Sequence, residues 1–277
     1  MTTQYLDVQG GRLAYEVTGT GPLVICAPSM GDLRQEYRFL APRLAEAGYR
    51  VAMFDVRGHG ESSVGWDDYS VAGVGADMVA LARALGNGQP AILVGDSMAG
   101  GAAIWAAAER PEVVSALVLL DPVVRDFPTL ALQMLMMRAL FARPWGASAW
   151  RHYYTSLYRT TRPTDLASYV KRLGANLRER GRLEALRAMI FASKAASAER
   201  VSRVATPALV VMGTKDPDFK DPEREARWLG EQLHCEVRMI AGAGHYPHAE
   251  MPEQVAAAAL RFLAGVQKGV AHGAYQP

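Results

Sequence analysis

Five short runs that are apolar at nearly every position constrain this chain more than any other feature. They are Leu23-Val24-Ile25-Cys26-Ala27, Val51-Ala52-Met53-Phe54, Ala91-Ile92-Leu93-Val94, Leu117-Val118-Leu119-Leu120 and Ala208-Leu209-Val210-Val211-Met212. Runs of this kind fit strands covered on both faces, whereas half-exposed strands alternate apolar with polar residues. Helical patterns separate them: a segment over about 35–47, a stripe of Val74, Met78, Leu81 and Leu85, and an Ala-rich stretch over 98–109. Repeated strand–helix–strand order with buried strands predicts an α/β fold, a mostly parallel central sheet with helices on both faces. Residues 4–8 and 12–17 alternate around Gly10-Gly11, which predicts a leading antiparallel hairpin at one sheet edge. Near the end come a helix over about 222–233, a strand over 235–240 and a last helix carrying Val255, Ala259, Phe262 and Val266. The final ten residues, with Gly269, Gly273 and Pro277, read as a loose tail.

The rhythm breaks between about 124 and 203. That stretch holds no buried-strand run, but two helical stripes, Leu130, Met134, Met137, Phe141 and Leu166, Val170, Leu173, Leu177. Trp145, Trp150, Tyr153, Tyr154 and Tyr158 crowd between them. Because the sheet pattern resumes afterwards, 124–203 is expected to be a helical cap inserted into one core made of 1–123 and 204–277. With 277 residues, half of them apolar, the chain can bury one large core.

Charge and cysteine usage narrow the function classes. The net charge of +2 is spread without a basic block, which argues against nucleic acid as a partner. No run of eighteen apolar residues occurs, so no membrane-spanning segment is expected. The start Met1-Thr2-Thr3-Gln4-Tyr5 lacks the pattern of a secretory signal, and a cytoplasmic protein is expected. Cys26 and Cys235 have no Cys or His at metal-ligand spacing, and two buried free thiols are expected in a reducing compartment.

Chemistry concentrates in Gly95-Asp96-Ser97-Met98-Ala99-Gly100-Gly101, where a buried strand ends and a small-residue helix begins. A serine there sits on a sharp turn at the carboxyl edge of the sheet, with strained backbone and small neighbours two residues away. The Met98 N–H, at the helix N-terminus, points toward a developing oxyanion. The segment resembles the nucleophile elbow of the α/β-hydrolase family, Gly-x-Ser-x-Gly, with Ala99 in place of the last Gly. Asp55-Val56-Arg57-Gly58-His59-Gly60-Glu61-Ser62 resembles a second motif of that family, Asp-x-Arg-Gly-x-Gly-x-Ser, for which a structural role is expected.

The resemblance implies an acid and then a histidine further along the chain. Gly213-Thr214-Lys215-Asp216-Pro217-Asp218 follows one strand, and Gly242-Ala243-Gly244-His245-Tyr246-Pro247 follows the next. The implied triad is therefore Ser97, His245 and Asp216. Asp121 and Asp218 stay open as alternative acids. His248, expected at the surface, is an alternative base. The second oxyanion donor should come from Pro28-Ser29-Met30-Gly31-Asp32, with the Met30 N–H first and Ser29 as runner-up.

Such a site needs no metal or cofactor and would resolve an acyl-enzyme with water. A serine nucleophile separates the chain from relatives on this fold that open epoxides or remove halides with Asp. The expected substrate is a small to medium hydrophobic carboxylic ester, and the chain is expected to be a monomer or homodimer. Lactone, thioester or carbon–carbon hydrolysis and cofactor-free perhydrolysis use the same triad, and a small-molecule receptor on the same fold is the alternative of another class. Ser29, Met134, Met137, Phe141, Trp145, Tyr153 and Tyr246 are candidate pocket residues, the cap residues having a second possible role in gluing cap to core.

Overall fold

The computed structural model describes residues 2–127 and 130–271, with side chains to 268. Eight strands form one sheet: β1 (Gln4–Val8), β2 (Gly11–Thr18), β3 (Leu23–Ala27), β4 (Arg50–Phe54), β5 (Ala91–Asp96), β6 (Val114–Leu120), β7 (Ala208–Gly213) and β8 (Glu236–Ile240). Their spatial order is β1-β2-β4-β3-β5-β6-β7-β8. The hairpin strands β1 and β2 are antiparallel to their neighbours, and every other pairing is parallel.

The apolar runs are continuous because each strand feeds two cores. Ile25 and Ala27, Leu93, Leu117 and Leu119, and Val210 and Met212 point into one. Val24 and Cys26, Ile92 and Val94, Val118 and Leu120, and Leu209 and Val211 point into the other. This is the period of two expected of a pleated strand, applied to a sheet with both faces covered. The first core is closed by α2 (Val71–Leu85), α3 (Met98–Glu109) and α9 (Pro222–Leu233), the second by α1 (Leu40–Glu46) and α11 (Pro252–Ala271).

The insertion carries α4 (Ala131–Leu140), α5 (Gly146–Ser156), α6 (Leu166–Arg178) and α7 (Arg182–Phe191), followed by the short α8 (Ala195–Ala198). A single turn, α10 (Pro247–Glu250), precedes α11. All four residues of the α6 stripe are buried. The α4 stripe behaves differently: no residue of that helix is fully buried, and Leu130, just before it, is exposed.

Three expectations need correction. The helix expected over 35–47 is a 3-10 turn at Arg34–Arg38 followed by α1. Pro42 lacks the N–H that would bond the Arg38 carbonyl, so one continuous α-helix is not available there. The last helix runs to Ala271, into the segment read as a tail; 272–277 lie outside the described residues. Both cysteines are free, but Cys235 is only partly buried, because it precedes the edge strand β8 and does not lie in the middle of the sheet.

Candidate active site

Ser97 lies between the end of β5 and the first residue of α3, with φ +54° and ψ −121°. A non-glycine residue at positive φ is strained, and hydrogen bonds from both sides hold it. Its N–H donates to the Leu120 carbonyl at 2.9 Å, and its own carbonyl accepts from Gly100 at 3.0 Å and Val123 at 2.9 Å. The strand and helix cross so closely that a Cβ on Gly95 would lie 2.4 Å from the Ala99 carbonyl oxygen. Ala99 itself is accommodated and buried.

His245 follows β8 and Asp216 follows β7, so both reach the same carboxyl edge of the sheet as Ser97. The His245 Nδ1 lies 2.7 Å from Asp216 Oδ2, with both side chains buried. On the other side of the ring, Nε2 lies 3.7 Å from Asp218 Oδ2. Burial alone would lower the imidazole pKa; the Asp216 and Asp218 carboxylates outweigh it and hold it well above the ordinary 6.5. The backbone N–H of His245 donates to Leu157 of the cap at 3.1 Å, which ties its loop to the insertion.

Asp121 stands beside this pair in a different bonding state. It has φ +39°, and its Oδ1 accepts the Gly213 N–H at 2.9 Å. Burial first, then the charge of Asp216, push its carboxyl well above the usual range.

A cavity of about 630 Å³ opens onto Ser97 and His245. Over residues 22–252 the sequence matches the family described as the alpha/beta hydrolase fold. This chain belongs to that family.

Its relatives within the hydrolase fold are distant and span different activities. It is 24% identical over 290 residues to an uncharacterized protein of Mycobacterium tuberculosis, covering 95% of this chain and 81% of that one. It is 25% identical over 328 residues to epoxide hydrolase A of the same organism, covering 96% and 98%. The structure of a thermophilic esterase from Thermogutta terrifontis superposes with a TM-score of 0.77 at 22% identity, covering 96% of this chain and 99% of that one, a likeness of fold.

In this hydrolase-fold chain the expected pocket residues divide. Ser29, Met134, Met137, Phe141, Tyr153 and Tyr246 line the cavity, as do Met30 and Asp218. Trp145 does not. It is 55% exposed and its indole N–H donates to the Ala139 carbonyl at 2.9 Å, which turns the ring away from the interior. Phe141 also packs edge-on against buried Trp150, so it serves both cap packing and the cavity wall.

The loop after β3 is fixed from below. The Ser29 N–H donates to Glu36 Oε2 at 2.8 Å, which removes it as an oxyanion donor. Ser29 Oγ pairs with the Tyr246 hydroxyl at 3.0 Å. The Met30 N–H carries no such bond among the described residues. Met98 is the first residue of α3, so its N–H has no intrahelical acceptor. Asp32 accepts from the hydroxyls of Tyr154, at 2.8 Å, and Tyr169, which fastens this loop to α5 and α6.

His248 is fully buried, contrary to the surface position expected for it. It stacks on Tyr37, with Nε2 3.3 Å from Glu36 Oε1 and Nδ1 3.7 Å from Asp96 Oδ1. Burial lowers its pKa to about 3 and raises that of Glu36 to about 7, while Asp96 is pushed well up. Glu36, Asp96 and His248 form one set of metal-ligand type atoms within 4.8 Å of one another, and Asp121, Asp216 and His245 form another. In the first set the two His248 nitrogens face Glu36 and Asp96 without a hydrogen bond, and in the second His245 Nδ1 contacts Asp216. His59 sits apart from the cavity, buried, with Nδ1 3.1 Å from the Arg57 carbonyl. Its loop is tied by Asp55 to Arg34 and by Arg57 to Asp77 of α2.

Sequence reasoning left Glu36, Asp32 and Asp96 without roles. Their one signal was charge placed directly after the β3 loop and directly before the nucleophile.

Proposed function

We propose that this chain hydrolyses small to medium hydrophobic carboxylic esters through an acyl-enzyme formed on Ser97. His245 Nε2 takes the Oγ proton as Oγ attacks the carbonyl carbon. Asp216 holds the ring in the tautomer that carries a proton on Nδ1 and stabilises the imidazolium that follows. The Met98 and Met30 N–H groups receive the oxyanion, each worth about 3–4 kcal/mol if well aimed. The imidazolium then protonates the departing alkoxide, and His245 activates water to release the acid.

The observation that supports this reading most is the 2.7 Å contact of buried Asp216 with His245, which lines the same cavity as Ser97. The walls at Met30, Met134, Met137, Leu140, Phe141 and Ile190 favour an apolar acyl or alcohol group. Epoxide opening on this fold needs a carboxylate nucleophile at the elbow. Here that slot holds Ser97, and the neighbouring Asp96 is fully buried.

A panel of p-nitrophenyl esters of rising chain length, with lactones and thioesters alongside, tests the proposal. Multiple turnovers peaking at one ester length, abolished by Ser97→Ala, are expected. Silence toward esters with turnover of lactones or thioesters would reassign the substrate. Release of about one equivalent per chain would favour a receptor.

A further inference from the structure

His245 is flanked by carboxylates on both ring nitrogens, and the triad uses only one of them. Asp218 lies two residues beyond Asp216 on the same loop, and its N–H donates to Asp216 Oδ1 at 2.9 Å. This bond fixes the turn so that the second carboxylate swings to the far side of the imidazole. The side chain is 21% exposed and lines the cavity. From the cap, the Tyr153 hydroxyl donates to it, 2.6 Å from Oδ1 and 2.8 Å from Oδ2. An acceptor-only carboxylate held by a phenol suits the ionised form.

We infer that Asp218 is a positioning residue for His245: its carboxylate faces the ring nitrogen that must be free of a proton for Ser97 to be activated, and so holds the resting base protonated. This rests on the reading of His245 as the general base. An imidazolium bonded to Asp216 and facing Asp218 at 3.7 Å already carries its Nε2 proton and cannot take the serine proton. Activity then requires either higher pH or a substrate that displaces the Asp218 contact.

The other groups around the ring contribute less. Asp96 at the end of β5 and Asp121 after β6 are pushed well up by burial, and the Asp96 charge raises His245 less than those of Asp216 and Asp218 do. His248 of α10 stays neutral, and Glu36 of the 3-10 turn titrates only at about 7. Tyr153 and Tyr246 are held far above neutrality by burial. Burial first, and also the Asp216 charge, raise Asp218, against which the His245 charge and the Tyr153 hydroxyl act. Among the described residues, the carboxylate oxygens within 4 Å of the ring nitrogens are those of Asp216 and Asp218.

The test is an NMR titration of the His245 ring nitrogens in the full chain, run beside kcat/KM against pH for an ester that the wild type turns over. In the wild type the imidazole should titrate above 6.5. Asp218→Asn keeps the shape and still accepts from Tyr153, and should lower that midpoint by about 1–3 pH units. The acid limb of kcat/KM should move down with it, so that the variant keeps more of its plateau rate at pH 6. Tyr153→Phe retains the charge and should stay at or above the wild-type midpoint. A wild-type midpoint at or below 6.5, no movement in Asp218→Asn, or an equal drop in Tyr153→Phe would overturn the inference. A lowered midpoint with an unmoved rate limb would support the coupling and count instead against His245 as the base.

Discussion

Asp216→Asn and Asp121→Asn are nearly isosteric changes a few ångströms apart, and the structure assigns them very different consequences. Asp216 Oδ2 sits 2.7 Å from His245 Nδ1, both side chains buried, and the pair becomes a full ion pair when the imidazole takes the serine proton. A charge pair about 4 Å apart at an effective dielectric of 20 is worth about 4 kcal/mol, or about three decades of rate. An amide at this position also favours the wrong tautomer, and loss of a triad acid costs about 10⁴ in kcat. A fall of about three to four decades is therefore expected for Asp216→Asn. Burial pushes the Asp121 carboxyl well above its usual range, so Asn is a close match for the favoured protonated form and can still accept the Gly213 N–H. Less than about a tenfold loss is expected there, since only a neutral hydrogen bond changes. Both follow from kcat on a p-nitrophenyl ester, with thermal melts to establish that each variant folds. A severe loss in Asp121→Asn with a mild one in Asp216→Asn would refute the assignment of the acid.

Further predictions probe the elbow, the buried acids and the cavity. Gly95→Ala should destabilise by about 1–3 kcal/mol, read by urea unfolding, because the new Cβ meets the Ala99 carbonyl and β5 must move from α3. Glu36 is raised from 4.5 to about 7 on folding, chiefly by burial. The folded chain therefore binds the extra proton between those values, and stability falls as pH rises through them. Glu36→Gln should flatten that slope in melting temperature between pH 4.5 and 7. Met137→Trp should shift the preferred ester to a shorter chain, whereas Trp145→Ala should leave KM within about twofold, since it removes only exposed surface.

Much of this architecture was legible because burial leaves a mark on sequence. A strand facing two cores must be apolar along its length, as β3 is throughout and as β5 and β7 are over 91–94 and 208–212. The elbow was legible for a similar reason: close crossing of β5 and α3 forces Gly95, and that constraint shows in the letters themselves. Charged groups in the interior were harder to see. His248 looked like a surface residue because histidine near a helix start usually is, and only the fold brings Glu36 and Asp96 to either side of it. Asp216 was placed ahead of Asp121 only through the family resemblance, since both follow strands at the same sheet edge and differ only in which one meets the imidazole. The α4 stripe left two readings open, cap packing and pocket wall. Met134 and Met137 sit at core-like spacing yet face a cavity, because a cap helix roofs a space instead of packing into one.

The account depends on Ser97 being an activated nucleophile. Labelling the purified protein with a fluorophosphonate and mapping the modified peptide asks this directly, without knowledge of the substrate. One equivalent bound at Ser97, absent in Ser97→Ala and strongly slowed in His245→Ala, is the predicted result. Label on a different serine, or labelling that persists at full rate without His245, would contradict it.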